Sequence, residues 1–354
     1  MSPRRAGLLI VAAAACGDPE LEIVAVEGER IDVHHEASFQ LCAGTVAAYD
    51  RGIVSVAAQL GLDPDDFEHM TFTWLDAESY EAESPFYFDD AGGWAWGSKS
   101  YGKLPYLFHE VVHMISQQEV YDVNVLLLEG LATAFEENGG LNLLVRDRSE
   151  RVDPRPFIGK RHGEMNYEVA GHFVSYLLGR HGPERFWELY RENGYLGTAG
   201  RFRRRFRDIY GLELDAAVDD FLNNDECPED ALPIPLPPSC EAPEIPWRDD
   251  VWVAVRTLHC SDEDVAGGQG TLFSAEFAAT LTIPETGRYR IADASDSGVG
   301  SVLTRCGGCP WLNVPQVVLP DHEVELEAGR YSIVSSYWDA SRPLLAVGIT
   351  KAPD

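Results

Sequence analysis

Basic residues are scarce in this chain. It carries 28 Lys and Arg against 58 Asp and Glu, which gives a formal net charge of −30. Such a surface repels phosphate backbones and anionic lipid headgroups, so nucleic-acid binding would need a local basic face. The best candidate is RFRRRFRDIY, where Phe202, Phe206 and Tyr210 recur at helical spacing. This pattern predicts an amphipathic helix with a solvated basic side, and we expect no nucleic-acid partner.

The N-terminal apolar run is too short to cross a membrane. Ala6 to Ala15 is ten residues long, whereas a spanning helix needs roughly 20. Arg4 and Arg5 precede the run and Cys16 follows it, an arrangement typical of an export signal. The small residues before Cys16 resemble the bacterial lipoprotein signal, and plain secretion is the alternative. We therefore predict a signal or lipoprotein peptide over residues 1–16, an exported or cell-envelope protein, and membrane contact only through a lipid anchor at Cys16.

Six cysteines follow the predicted signal. They are Cys42, Cys227, Cys240, Cys260, Cys306 and Cys309. An even number in an exported chain favours disulfides, and Cys227 and Cys240 are expected to pair because they bracket a short segment. The C-x-x-C of RCGGCPW would indicate zinc or redox chemistry in a cytosolic chain, with His259 and Cys260 as further ligands. Export favours disulfides here.

The residue pattern changes once along the chain, which predicts an α+β protein of two domains. Residues 17–226 are mostly helical in pattern: GTVAAYDRGIVSVAAQLGL has helical apolar spacing, and HMTFTWL alternates like a strand. Residues 227–247 hold seven prolines and predict a semi-rigid linker. Residues 248–354 consist of short alternating runs between turns, which is typical of an all-β sandwich. We find no internal repeat.

The segment KLPYLFHEVVHMI places His-Glu-x-x-His in an otherwise apolar run. On a helix, His109 and His113 leave the same face one turn apart, as a tetrahedral Zn²⁺ requires. Glu110 lies beside them and can accept a proton without ligating the metal. Two histidines and a glutamate in a buried helix are costly unless a metal organises them. The alternative is a hydrophobic helix in which the motif occurs by chance.

A second apolar helix offers a third ligand. It is predicted over LLLEGLATAFEENGG and ends at the two glycines, with Glu129 near its start, 16 positions after His113. An antiparallel return of the chain would point this carboxylate at the metal. Thr133 and Glu136 share the face of Glu129 and are expected to hydrogen-bond the ligands. The alternative makes Glu129 a helix N-terminal charge and Glu136 a solvated one.

These two segments resemble a known family. HEVVH followed by LLLEGLATAFEE is similar to the gluzincin metallopeptidases, in particular to the bacterial peptidase MA-like group with its HExxH and EGLA signature. The resemblance extends from Leu104 to Leu222. It implies a zincin-like metallopeptidase domain with His109, His113 and Glu129 as zinc ligands and Glu110 as general base. It also implies an edge strand in GGWAWGSKS that pairs with an extended peptide, and a packed loop of these glycines and tryptophans is the alternative.

The resemblance implies peptide-bond hydrolysis of a peptide or protein substrate. Glu110 would take a proton from the attacking water and pass it to the leaving amine. A second oxyanion donor is expected across the cleft, and Tyr167 matches the recurrent tyrosine of the family. His172 and, more remotely, His162 are the other candidates for this donor, and a merely packed Tyr167 is the structural alternative.

Two other functional classes stay open at this stage. One is a zinc-bearing surface binding module without turnover, against which the intact Glu110 argues, because a scaffold needs ligands but no base. The other is a zinc hydrolase of a non-peptide bond. The C-terminal sandwich is expected to be an accessory domain similar to those appended to secreted proteases.

Overall fold

The computed structural model describes residues 21–83, 92–136, 151–270, 273–296, 299–312, 316–318, 322–338 and 343–353. The predicted signal peptide and Cys16 lie outside these residues. Helices make up 36% of the described residues and strands 29%, which fits the expected α+β class. No helix within the described ranges has the length and apolarity needed to span a membrane.

The chain up to Asn223 is mixed. Its strands are β1 (Ile23–Val26), β2 (Ile31–Glu36), β3 (Gln40–Leu41), β4 (Met70–Trp74), β5 (Gly93–Trp96) and β6 (Lys99–Gly102). Its helices are α1 (Thr45–Leu60), α2 (Ala77–Glu83), α3 (Phe108–Glu119), α4 (Val125–Phe135), α5 (Tyr167–His181), α6 (Pro183–Glu192), α7 (Ala199–Tyr210) and α8 (Leu214–Asn223). We call this part the helical region.

Five of these strands form one sheet in the order β1-β2-β4-β6-β5. The pairs β2/β4 and β4/β6 are parallel, whereas β1 and β5 run antiparallel at the two edges. In β4 the residues Met70, Phe72 and Trp74 alternate towards the core, as the sequence pattern predicts. The strand expected in GGWAWGSKS is present as β5, and it lies at one edge of this sheet.

Helices α3, α4 and α5 pack closely, and two glycines set the spacing between α4 and α5. A Cβ on Gly130 would lie 2.8 Å from the carbonyl oxygen of Ala170, and one on Gly171 would lie 2.7 Å from Cγ2 of Thr133. Any larger side chain at either glycine would push the helices apart. Since α4 also packs on α3, this contact fixes α4 beside the His-Glu-x-x-His helix.

The basic helix predicted from RFRRRFRDIY is α7. Phe202, Phe206 and Tyr210 are buried in the core of the helical region, as the spacing predicts. On the other side, Arg203 contacts Asp215 at 2.6 Å and Arg205 contacts Glu192 at 3.2 Å. These arginines therefore pair with acidic residues of the same molecule.

The chain from Val251 onwards is built of strands. They are β7 (Val251–Thr257), β8 (Val265–Gln269), β9 (Phe273–Ile283), β10 (Gly287–Asp293), β11 (Val299–Arg305), β12 (Gln316–Val318), β13 (His322–Leu326), β14 (Gly329–Trp338) and β15 (Leu344–Lys351). They form an antiparallel sheet β13-β10-β15-β7 and a second antiparallel sheet β12-β11-β14-β9-β8. Residues from both sheets share one core, which includes Trp252, Phe277, Tyr289 and Ile333. We call this part the strand region.

Strand pairing and side-chain hydrogen bonds join the two regions in addition to the connecting chain. The short strand β3 pairs with β8 and so extends the second sheet of the strand region to six strands. Between the regions, Pro238–Glu241 forms a 3-10 turn in which Pro238, Ser239 and Cys240 are buried. Gln59 of α1 holds this segment, because its side-chain amide bonds both the N–H and the carbonyl of Leu236.

Three disulfides are present, and their connectivity corrects one expectation. The bonds are Cys42–Cys260, Cys227–Cys309 and Cys240–Cys306. The predicted Cys227–Cys240 bond is wrong, because the proline-rich segment lies along the 306–309 loop and each cysteine meets a partner there. Both cysteines of the C-x-x-C are thereby consumed, which removes its alternative role as a metal or redox motif.

Candidate metal centre

The first ligand pair is held by the packing of α3 on α1. The hydroxyl of Tyr49 accepts a hydrogen bond from the N–H of Leu107 at 2.8 Å, just before the helix begins at Phe108. The ring of Phe108 lies against Gly52, where a Cβ would come within 2.4 Å of a ring carbon. These contacts fix the start of α3, so that His109 and His113 lie one turn apart on the same face.

The third residue comes from α4, as its sequence predicts. The helix begins at Val125, and the side chain of Asn124 caps it by accepting the N–H of Leu126 at 3.1 Å. Glu129 is only 4% exposed in a helix whose other buried residues are mostly apolar. A buried carboxylate in such a helix needs a partner, because desolvating an unpaired charge costs several kcal/mol.

The partners of Glu129 are the two histidines. Nε2 of His109 lies 3.1 Å from Nε2 of His113, and Oε2 of Glu129 lies 3.2 Å from the first nitrogen and 3.3 Å from the second. Three donor atoms thus form a nearly equilateral triangle. Bond lengths of about 2.0–2.1 Å around a tetrahedral Zn²⁺ imply ligand-to-ligand edges of roughly 3.3 Å. The triangle has this size, and His₂Glu is a known catalytic zinc ligand set.

The electrostatics of the cluster suit a cation. Burial opposes ionisation of Glu129, but His113, His109 and His162 together hold its pKa well below the usual range. Burial also disfavours a charged His109, yet its hydrogen bonds to Glu129 and Glu136 raise its pKa well above the usual value. The same carboxylates that stabilise a proton here would stabilise a metal ion in its place.

Two further residues contact the side chains of the triangle. Oε2 of Glu136 lies 3.2 Å from Nδ1 of His109, which confirms the expected contact, although Glu136 follows the end of α4 at Phe135 rather than lying within the helix. Nδ1 of His162 lies 3.0 Å from Oε1 of Glu129. A second hydrogen bond of this kind fixes the orientation of a ligand and leaves its other atom for the metal.

Thr133 does not make the hydrogen bond to the ligands that the sequence predicts. Its hydroxyl is buried and makes no hydrogen bond with the described residues. The methyl group of its side chain packs against Gly171 of α5.

Glu110 is buried beside the cluster. It is 6% exposed, and burial raises its pKa above the usual value, with His109 and His113 acting in the opposite direction. It also contacts the edge strand, because a Cβ on Gly93 would lie 2.8 Å from Cγ of Glu110. A buried carboxylate next to two predicted ligands lies where a general base would act on a water between them.

Tyr167 lies at the edge of the cluster. It is the first residue of α5, which Asn166 caps, and its ring centre is 6.0 Å from that of His109. Burial and the charges of Glu129 and Glu110 raise the pKa of its hydroxyl, so it is protonated and able to donate. His172 instead packs on Phe221 of α8, with ring centres 6.1 Å apart.

Comparisons with known proteins add little. No protein-family model matches the chain, and no curated protein matches it. Among solved structures, a carbohydrate-binding module in complex with beta-1,4-galactotriose is 17% identical, with a TM-score of 0.16, and covers 29% of this chain and 90% of its own. A beta-glucosidase from Paenibacillus barengoltzii is 12% identical, with a TM-score of 0.13, and covers 44% of this chain and 16% of its own. At these scores neither structure bears on the function of this chain.

Proposed function

We propose that this chain is an exported zinc-dependent metallopeptidase of the gluzincin type. The observation that carries the proposal is the donor triangle of His109, His113 and Glu129, with edges of 3.1–3.3 Å and a buried Glu110 next to the first ligand. Its size and chemistry fit Zn²⁺, and the zincin-like domain, linker and β-sandwich of the sequence analysis are part of the same proposal.

The residues divide the chemistry between them. His109, His113 and Glu129 would hold the zinc ion, which when bound polarises water and carbonyl oxygens as a Lewis acid. Glu110 takes the proton of the attacking water as general base and then donates it to the leaving amine. Tyr167 donates a hydrogen bond from its hydroxyl to the oxyanion that develops on the scissile carbonyl. Edge strand β5 presents backbone groups to an extended peptide beside Glu110.

Export is supported by the three disulfides, which form in oxidising compartments. The lipid anchor at Cys16 is kept as part of the proposal. Mass spectrometry of the mature N-terminus after expression in a bacterium would test it: an acylated Cys16 supports the anchor, and an unmodified N-terminus favours plain secretion.

Metal analysis and a peptide-library digest test the enzyme directly. The purified protein is expected to hold about one zinc per chain and to cleave library peptides. Glu110→Gln should keep the zinc and lose hydrolysis by about 10²–10⁴-fold, because the base and the ligands are different side chains. Zinc without any hydrolysis would favour the binding module, and cleavage of ester or amide probes alone would favour a non-peptide hydrolase. Full activity in Glu110→Gln would reject the mechanism.

A further inference from the structure

Among the described residues no strand pairs with the outer edge of β5, and this edge begins at the proposed catalytic base. The N–H of Lys103 donates to the carbonyl of Gly92 at 2.9 Å, so these two residues form a hydrogen-bonded antiparallel pair. Such pairs alternate along an antiparallel ladder, which makes Trp94 and Trp96 the next residues bonded to β6. The backbone groups of Gly93 and Ala95 therefore point away from β6, towards the open edge. Gly93 is the residue in contact with Glu110.

Beyond the N–H of Ala95, the side chain of Gln117 bonds the backbone groups at the outer edge of β5. Its Oε1 accepts the N–H of Gly97 at 2.9 Å, and its Nε2 donates to the carbonyl of Ala95 at 3.3 Å. The side-chain amide thus occupies the positions that a paired strand would use. A peptide that pairs with β5 has only the groups of Gly93 and the N–H of Ala95 available, so backbone pairing is confined to a few residues next to Glu110.

Two exposed aromatic residues lie where backbone pairing ends. Trp96 is 60% exposed and Tyr121 is 59% exposed, and their ring centres are 5.9 Å apart. Tyr121 reaches β5 from beyond the end of α3, because a Cβ on Gly97 would lie 2.8 Å from its hydroxyl oxygen. We call this pair the aromatic shelf. Trp96 is three residues from Gly93, which places the shelf about 10 Å along the strand from Glu110.

A series of contacts also links the residue next to Tyr121 to Glu129 of the candidate metal centre. Asp122, next to Tyr121, accepts the N–H of Tyr195 at 2.7 Å. The ring of Tyr195 stacks on His162 at 5.9 Å, and His162 contacts Glu129. Leu196, the next residue, is 81% exposed. These contacts link the segment that follows α3 to the residues around Glu129.

We propose that the aromatic shelf is a subsite for a large apolar or aromatic side chain of an extended peptide, about three residues along the peptide from the one beside Glu110. The inference rests on the proposed peptidase function. Because Gln117 occupies the pairing positions beyond Ala95, an extended peptide would continue past this amide unpaired, and at about 3.4 Å per residue its third residue would reach the shelf. Because Gln117 limits backbone pairing, side-chain contact with the shelf supplies selectivity that the short paired segment lacks.

The experiment uses the intact zinc-loaded protein and two peptides. A library digest first locates the cleaved bond and the position preferred for Phe, and two peptides are then made that differ only in Phe or Ala at that position. The wild type should favour the Phe peptide by about tenfold in kcat/KM. Trp96→Ala should bring this ratio near one by lowering kcat/KM for the Phe peptide, and Trp96→Phe should restore most of it.

Val255→Ala provides the matched control, because Val255 is 62% exposed and lies on β7 of the strand region. It should leave the ratio unchanged, since it shortens an exposed apolar side chain far from Glu110. A ratio that stays near tenfold in Trp96→Ala, or a library preference for charged side chains at that position, would overturn the subsite while leaving the peptidase intact. Failure of the wild type to cleave any peptide would instead reject the proposed function and the subsite with it.

Discussion

The helical region and the strand region bury polar side chains in different ways. In the strand region, Ser301 and Ser335 are buried on neighbouring strands and bond each other at 2.8 Å. In the helical region, three donor atoms of His109, His113 and Glu129 converge on one point instead. Among the described residues, this is the one group of three or more His, Cys, Asp or Glu side chains close enough to hold a metal ion.

The difference separates a structural polar core from the proposed metal site. A serine pair satisfies its hydrogen bonds internally and needs nothing else. The side chains of His109, His113 and Glu129 bring three ligand atoms within 3.3 Å of one another, a group that could hold a metal ion and that the proposed function uses as its zinc site.

The largest effect is expected from Glu129→Ala. It removes one corner of the donor triangle, and we expect loss of stoichiometric zinc together with loss of hydrolysis. Metal content after dialysis against a weak chelator measures this directly. If Glu129→Ala holds zinc as tightly as the wild type, the third ligand has been assigned incorrectly.

Tyr167→Phe should reduce turnover by about 10²–10³-fold, because it removes one oxyanion donor worth roughly 2.7–4 kcal/mol. Its hydroxyl makes no hydrogen bond to the described residues, so the melting temperature and zinc content should change little. Calorimetry and metal analysis provide the controls. A variant that melts several degrees lower but turns over normally would make Tyr167 a packing residue.

His162→Ala should weaken zinc retention by about 10–100-fold, because it frees Oε1 of Glu129. The dissociation rate of the metal in excess chelator is the appropriate readout, since it does not depend on hydrolysis. Trp311→Phe serves as the control. It alters a buried aromatic residue in the core of the helical region, and it should leave the dissociation rate of the metal unchanged. Equal rates in His162→Ala and wild type would show that the contact with Glu129 has no effect on the metal.

Ser301→Ala should have the smallest effect. It breaks one buried serine pair in the strand region and is expected to cost about 1 kcal/mol of unfolding free energy. Zinc content and hydrolysis should not change, because neither serine approaches a ligand. Denaturant unfolding measures the loss, and a change in zinc content would mean that the two regions are coupled energetically.

Local spacing was sufficient to predict the donor cluster. His109 and His113 share a helix face by geometry alone, and Glu129 stands out as the one acidic residue early in an apolar helix. Helical and alternating patterns likewise predicted α1, α7 and β4 correctly. These features depend on residues within a few turns of each other, and local sequence determines them.

Contacts between distant segments could not be predicted. The helix that holds Glu129 ends at Phe135 rather than at the later glycines, because Glu136 leaves the helical conformation and bonds His109. His162 carries no motif and reaches Glu129 only through tertiary structure. The pairing of Cys227 with Cys309 likewise depends on where the strand region places its loops.

The disulfides give this protein an unusual response to proteolysis. Any cut between Cys240 and Trp247 would be bridged by all three bonds, and a cut between Cys227 and Cys240 would still be bridged by two. A nicked molecule would therefore migrate at full size until reduced. In an oxidising environment crowded with proteases, the chain can be severed at its proline-rich segment and remain one covalent particle, with β3 still paired to β8.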